Sequence, residues 1–174
     1  MHKGQVVRGS MKLNVLSSHR RYIKLLAVYL VAGVIIWLAT VTGAEAAPEA
    51  LKITVHRDPY CSCCGGWIEH LTAQGFQPTN VVTPDMSALK QQYGVTNDLA
   101  SCHTAVINGY VIEGHVPADD IKRLVAEKLD VAGIAVPGMP VGTPGMESGN
   151  VREPFTVLSF DEQGNTKAFK QHSF

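Results

Sequence analysis

The stretch Leu51-Lys52-Ile53-Thr54-Val55-His56-Arg57-Asp58-Pro59-Tyr60-Cys61-Ser62-Cys63-Cys64-Gly65-Gly66-Trp67-Ile68 contains a change of period, and that change decides the fold. Leu51 to His56 alternates apolar and polar residues, the period of two of a half-buried strand. Asp58-Pro59 ends it, because proline has no N–H to give to a ladder. From Gly66 to Gln74 the apolar residues Trp67, Ile68 and Leu71 fall on one side of a helix, which Gly75 closes. Three cysteines therefore lie between the end of a strand and the start of a helix. A helix N-terminus offers unpaired N–H groups and the positive end of a dipole, which stabilise a thiolate.

Working outward, Phe76 to Val82 reads as a second strand, and Pro84-Asp85 opens a helix through Tyr93 that closes at Gly94. Asn97 to His103 is a loop. Thr104–Ile107 and Tyr110–Glu113 flank Asn108-Gly109, and Asn-Gly between apolar runs is a strong hairpin signal. Pro117 starts a helix to Leu129 whose stripe is Ile121, Leu124, Val125 and Leu129. The order βαβα, hairpin, α is that of thioredoxin, and it predicts an α/β, thioredoxin-like domain over residues 47–130. Residues 131–174 form a C-terminal extension rich in Gly, Pro and Met. Val131 to Arg152 is expected to lack regular structure, Phe155 to Phe160 to add one strand, and Asp161-Glu162-Gln163-Gly164 to turn.

The first 46 residues differ from the rest. Arg20, Arg21 and Lys24 precede an apolar run from Leu25 to Val41, and Ala44-Glu45-Ala46 has the small-x-small pattern of a signal-peptidase site. Residues 1–46 thus read as a signal peptide, with a retained inner-membrane anchor as the alternative; the run of about 17 residues is short for a span. The mature chain would begin at Ala47 in the periplasm. Of fifteen basic and fifteen acidic residues, the leader takes six and one, leaving nine and fourteen, a formal charge of −5. An acidic body excludes nucleic acid as a partner. Membrane contact is confined to the N-terminal segment.

All four cysteines lie beyond the leader. Staples gain most from closing long loops, so three cysteines within four positions are badly spaced for them. Cys61 and Cys64 have the C-x-x-C spacing of thiol–disulfide oxidoreductases, which is the alternative reading of the chain. Cys63 argues against it, since a third thiol inside the pair traps mixed disulfides, whereas to a soft metal it is a further thiolate. Cys102-His103 sits in the loop before the Thr104 strand, where thioredoxin-like folds face the redox pair with a proline. No proline stands there, and opposite Cys61, Cys63 and Cys64 the pair Cys102 and His103 reads as ligands. Pro137-Gly138-Met139 recurs as Pro144-Gly145-Met146, and thioethers in a Gly/Pro loop suit Cu(I). His115, before Pro117, reads equally as ligand or as packing. His70 is a surface residue or a group behind the ligands; His56 and His172 read as ordinary polar residues.

With Cys-x-Cys-Cys-x-x-Trp-x-x-His (Cys61 to His70), Ser-Cys-His-Thr-Ala (Ser101 to Ala105), Glu-Gly-His-Val-Pro (Glu113 to Pro117) and the doubled Pro-Gly-Met, the chain resembles the CopG-type family of copper-resistance proteins over Leu51 to Phe169. The resemblance implies an exported thioredoxin-like domain whose extension helps enclose a thiolate-bridged cluster of several copper ions. Cys61, Cys63, Cys64 and Cys102 would supply bridging sulfur, and His103, His115, Met139 and Met146 would complete the coordination. It implies copper sequestration, with interconversion of Cu(I) and Cu(II), and partners among periplasmic copper efflux or chaperone proteins. A metal-binding protein is favoured over a copper oxidoreductase, a choice the resemblance leaves open.

Overall fold

The computed structural model describes residues 51–174, together with Ile23 and residues 26–30, which are helical and exposed. The leader and its cleavage site otherwise lie outside the described residues, and no helix among the described residues is long and apolar enough to cross a membrane. Residues from Glu49 to Phe174 form one compact unit.

That unit is mixed α/β. It runs β1 (Leu51–Arg57), α1 (Cys63–Ala73), β2 (Phe76–Val82), α2 (Met86–Gln92), β3 (His103–Ile107), β4 (Tyr110–Glu113), α3 (Ala118–Glu127), β5 (Gly133–Ala135), β6 (Phe155–Phe160) and β7 (Thr166–His172). The strands form one sheet in the order β2-β1-β3-β4-β5-β6-β7. Up to α3 the elements follow the expected order, with β1 parallel to β2, antiparallel to β3, and β3–β4 a hairpin turning on Asn108 and Gly109, both at positive φ. Such a turn needs two left-handed residues, which Asn-Gly tolerates.

Two expectations change. α1 begins at Cys63, three residues before the expected Gly66, so Cys63 and Cys64 belong to its first turn. Glycine normally weakens a helix, but Gly66 is needed small: a Cβ there would lie 3.0 Å from the Gly145 backbone. The tail is also more regular than its composition suggests. Gly133–Ala135 pairs with β4 and β6, and β7 follows the turn at Asp161, so the extension continues the sheet by three strands. Gly133 fits there because a Cβ would meet the Val111 carbonyl.

The sheet is covered on both faces. Ile53, Val55, Ile112, Ile134 and Val157 face Trp67 and Leu71 of α1 and Ile121 and Leu124 of α3. Val111, Ala135 and Phe160 point the other way, onto Val95 and Leu99. The edge strands carry Pro78 in β2 and Lys167 and Lys170 in β7, residues that discourage pairing with another chain.

Candidate metal centre

Register brings the cysteines together. Arg57, the last residue of β1, pairs with His103, the first of β3. The chain leaving β1 toward Cys61–Cys64 therefore lies beside the chain entering β3 through Cys102. Thr104 pairs with Glu113 and Glu113 with Ala135, so Gly114-His115 and the start of the tail reach the same end of the sheet.

The Sγ atoms of Cys61, Cys63, Cys64 and Cys102 all lie within 4.8 Å of one another. Cys63 is 3.6 Å from Cys61 and 3.7 Å from Cys102, and Cys64 is 3.9 Å from Cys102. Cys61 and Cys64 are joined as a disulfide, while Cys63 and Cys102 are free. For Cys61 and Cys64 to ligate metal the disulfide must be reduced, since the thiolate is the ligand form. Ser62 provides no side-chain cap for α1, and of the first-turn N–H groups Gly65 donates to the Ser62 carbonyl at 3.3 Å.

Cys102 also belongs to a second group, with His103 and His115. His115 Nδ1 donates to the Pro144 carbonyl at 2.8 Å, so in the neutral ring Nε2 carries the lone pair. That lone pair is 3.0 Å from Cys102 Sγ. His103 Nδ1 lies 3.2 Å from the same sulfur, and its Nε2 is buried without a hydrogen-bond partner. Burial, His115 and Lys90 hold His103 well below the ordinary imidazole range. His115 is lowered by burial too. Both rings are thus neutral and able to ligate. Cys102 moves the other way: burial, then Cys63, pushes its thiol up to about 12. A metal ion must displace that proton.

The tail completes the wall. Gly145 (φ +82°) packs on the first turns of α1; a Cβ there would be 2.5 Å from Trp67 N and 3.0 Å from the Cys63 carbonyl. This contact sets the Pro144 carbonyl against His115. The Ser101 hydroxyl donates to the Gly138 carbonyl, and Gly138 N–H donates to the Ala100 carbonyl at 3.1 Å, tying the other Pro-Gly-Met repeat to the Cys102 loop. Met146 is half-buried and Met139 is 53% exposed. Two close-set groups share Cys102, the four cysteines and Cys102 with His103 and His115; Met139 and Met146 follow Gly138 and Gly145 on the tail loops.

Contacts beyond the close-set groups are only partly legible in the sequence, where His70 reads as a surface residue or a group behind the ligands. Trp67 is a wall as well as core: its ring lies 4.3 Å from His103 and its Nε1–H donates to the Val116 carbonyl at 2.9 Å. His70 Nε2 accepts from Ala118 N–H at the start of α3. His172, read as ordinary, sits 2.7 Å from the buried Asp120 carboxylate. No one-dimensional pattern marks a partner fifty residues away.

A family model described as "Protein of unknown function, DUF411" matches residues 99–146. No curated protein matches the chain. Two solved structures do, "Copper resistance protein copG- Form 2" and "Copper resistance protein copG- Form 1". Each has 48% sequence identity and a TM-score of 0.69, covering 72% of this chain and 100% of the other.

Proposed function

Because this chain belongs to the family of copper resistance protein CopG, we propose that it is an exported, periplasmic protein that sequesters copper as part of copper resistance. The observation that carries the reading is the meeting of four cysteine sulfurs within 4.8 Å, one of them shared with two neutral imidazoles. Soft thiolates favour Cu(I), and imidazole accommodates both copper oxidation states. Cys61, Cys63, Cys64 and Cys102 bridge several ions; His103 and His115, with Met139 and Met146 from the tail, close the coordination. The disulfide adds a redox element. When Cys61 and Cys64 thiolates close their bond they release two electrons, enough to reduce two Cu(II) ions to Cu(I). Copper loading of the reduced mature protein without oxygen, followed by elemental analysis, is expected to give more than one copper per chain and fewer in Cys63→Ser. One ion or fewer, indifferent to that substitution, would refute the cluster.

The Cys61–Cys64 disulfide favours one second reading, a thiol–disulfide oxidoreductase. Insulin reduction that survives Cys63→Ser would support it.

A further inference from the structure

Glu113 is a fully buried carboxylate outside the ligand set. Its Oε1 accepts from Ser101 N–H at 2.6 Å and its Oε2 from the Thr104 hydroxyl at 2.7 Å. Lys90, reaching in from α2, forms an ion pair with Oε1 and donates to Thr104 Oγ1 at 3.0 Å. The three donors to Glu113 come from both sides of Cys102-His103 and from a separate helix. The Glu113 main chain is held as well, since its carbonyl accepts from Val136 N–H at 2.9 Å where the tail departs.

A buried ion pair is a poor choice for stability, since an apolar pair of similar volume often does as well. This pair sits where the chain most needs a fixed backbone. Ser101 and Thr104 bracket Cys102 and His103, and Cys102 comes from a loop with no regular structure of its own. We propose that Lys90 and Glu113 are positioning residues for the copper site: the anchored carboxylate fixes the Ser101–Thr104 backbone and so holds Cys102 Sγ within reach of Cys63. The inference rests on the copper reading for its purpose, but its geometry can be tested without copper.

The test uses metal-free protein with the Cys61–Cys64 disulfide intact. Diamide oxidises Cys63 and Cys102, 3.7 Å apart, to a second disulfide, followed by peptide mass mapping. The variant Lys90→Met/Glu113→Gln removes both charges together and leaves no lone buried ion. Its cross-linking is expected to be about 10–100-fold slower than wild type, as a displacement of about an ångström would cause, with thermal unfolding little changed. Its Cu(I) affinity is expected to fall about 10–100-fold, the usual effect of a lost support behind a ligand. Lys90→Arg, which keeps charge and donors beside an intact Glu113, should retain both. Should the double variant not fold, Thr104→Val keeps both charges and removes two hydrogen bonds, the one to Glu113 Oε2 and the one from Lys90, and about two- to tenfold slower cross-linking is expected. Wild-type cross-linking in the folded double variant, or in Thr104→Val where only that variant folds, overturns the proposal whatever the copper content. Normal cross-linking control with no copper bound by wild type would instead remove the copper reading and leave the positioning intact.

Discussion

The two halves of the metal centre are built on opposite plans. Cys61, Cys63 and Cys64 are neighbours in the chain, delivered by one strand end and one helical turn. Cys102, His103 and His115 are gathered from the loop before β3 and its first residue and from the turn after β4, and the tail sets the His115 ring through the Pro144 carbonyl. The local half is set by the end of β1 and the first turn of α1. The assembled half needs the whole sheet end, a buried ion pair and a glycine contact. In the function proposed above the local half supplies soft sulfur ligands, whereas the assembled half adds groups that meet only in the folded molecule.

Cys102 belongs to both halves, so its loss should be the most severe break. Cys102→Ser is expected to lower bound copper more than Cys61→Ser does. Cys61 stands at the outer edge, in the local group alone. Elemental analysis after anaerobic loading decides it, and equal losses would mean that the two halves do not share an ion.

The same contrast explains what could be read from the sequence. The local half was legible because its signals are local: a period-two run, a proline stop and three crowded thiols. The βαβα-hairpin-α order followed from periodicity and from Asn108-Gly109. The start of α1 was misplaced because Gly65-Gly66 looks like a boundary, and only the approach of Gly145 explains why glycine is wanted inside the helix. Strand β5 was hidden because three residues carry no periodicity, and they become a strand through the neighbours β4 and β6. Cys102 and His103 were singled out by analogy of position. Lys90, Glu113 and Asp120 were not, because a buried carboxylate is identified by partners that only the fold brings near.

A milder break starts from the tail, where it packs on α1. Gly145→Ala places a Cβ against Trp67 N in a backbone of φ +82° that alanine adopts at a cost of about 1–3 kcal/mol. The Pro144 carbonyl then withdraws from His115, and the ring is free to turn. Cu(I) affinity is expected to fall about 10–100-fold, and the alkylation rate of Cys63, whose carbonyl lies 3.0 Å from the added Cβ, reports in the metal-free protein whether the change also disturbs α1. Competition titration against a chelator of known affinity measures the first. Unaltered affinity would assign the orientation of His115 to something other than the tail.

The smallest effect is graded with pH and separates sulfur from imidazole. In the metal-free protein the Cys102 thiol, raised to about 12 by burial and by Cys63, is protonated throughout the neutral range. In the proposed site Cys102 would bind Cu(I) as thiolate, so binding would release that proton, and affinity is expected to rise with pH by about tenfold per unit for each proton released. The imidazoles behave differently. His103 and His115 are both lowered from the ordinary value, so above about pH 6.5 they are already neutral and have no proton to release. Between pH 7 and 8 the slope therefore belongs to sulfur, and at least one tenfold step per unit is expected. His115→Ala should weaken binding at both pH values while leaving that slope unchanged. A profile flat across this window would remove Cys102 from the ligands; a slope lost in His115→Ala would mean that the proton leaves an imidazole instead.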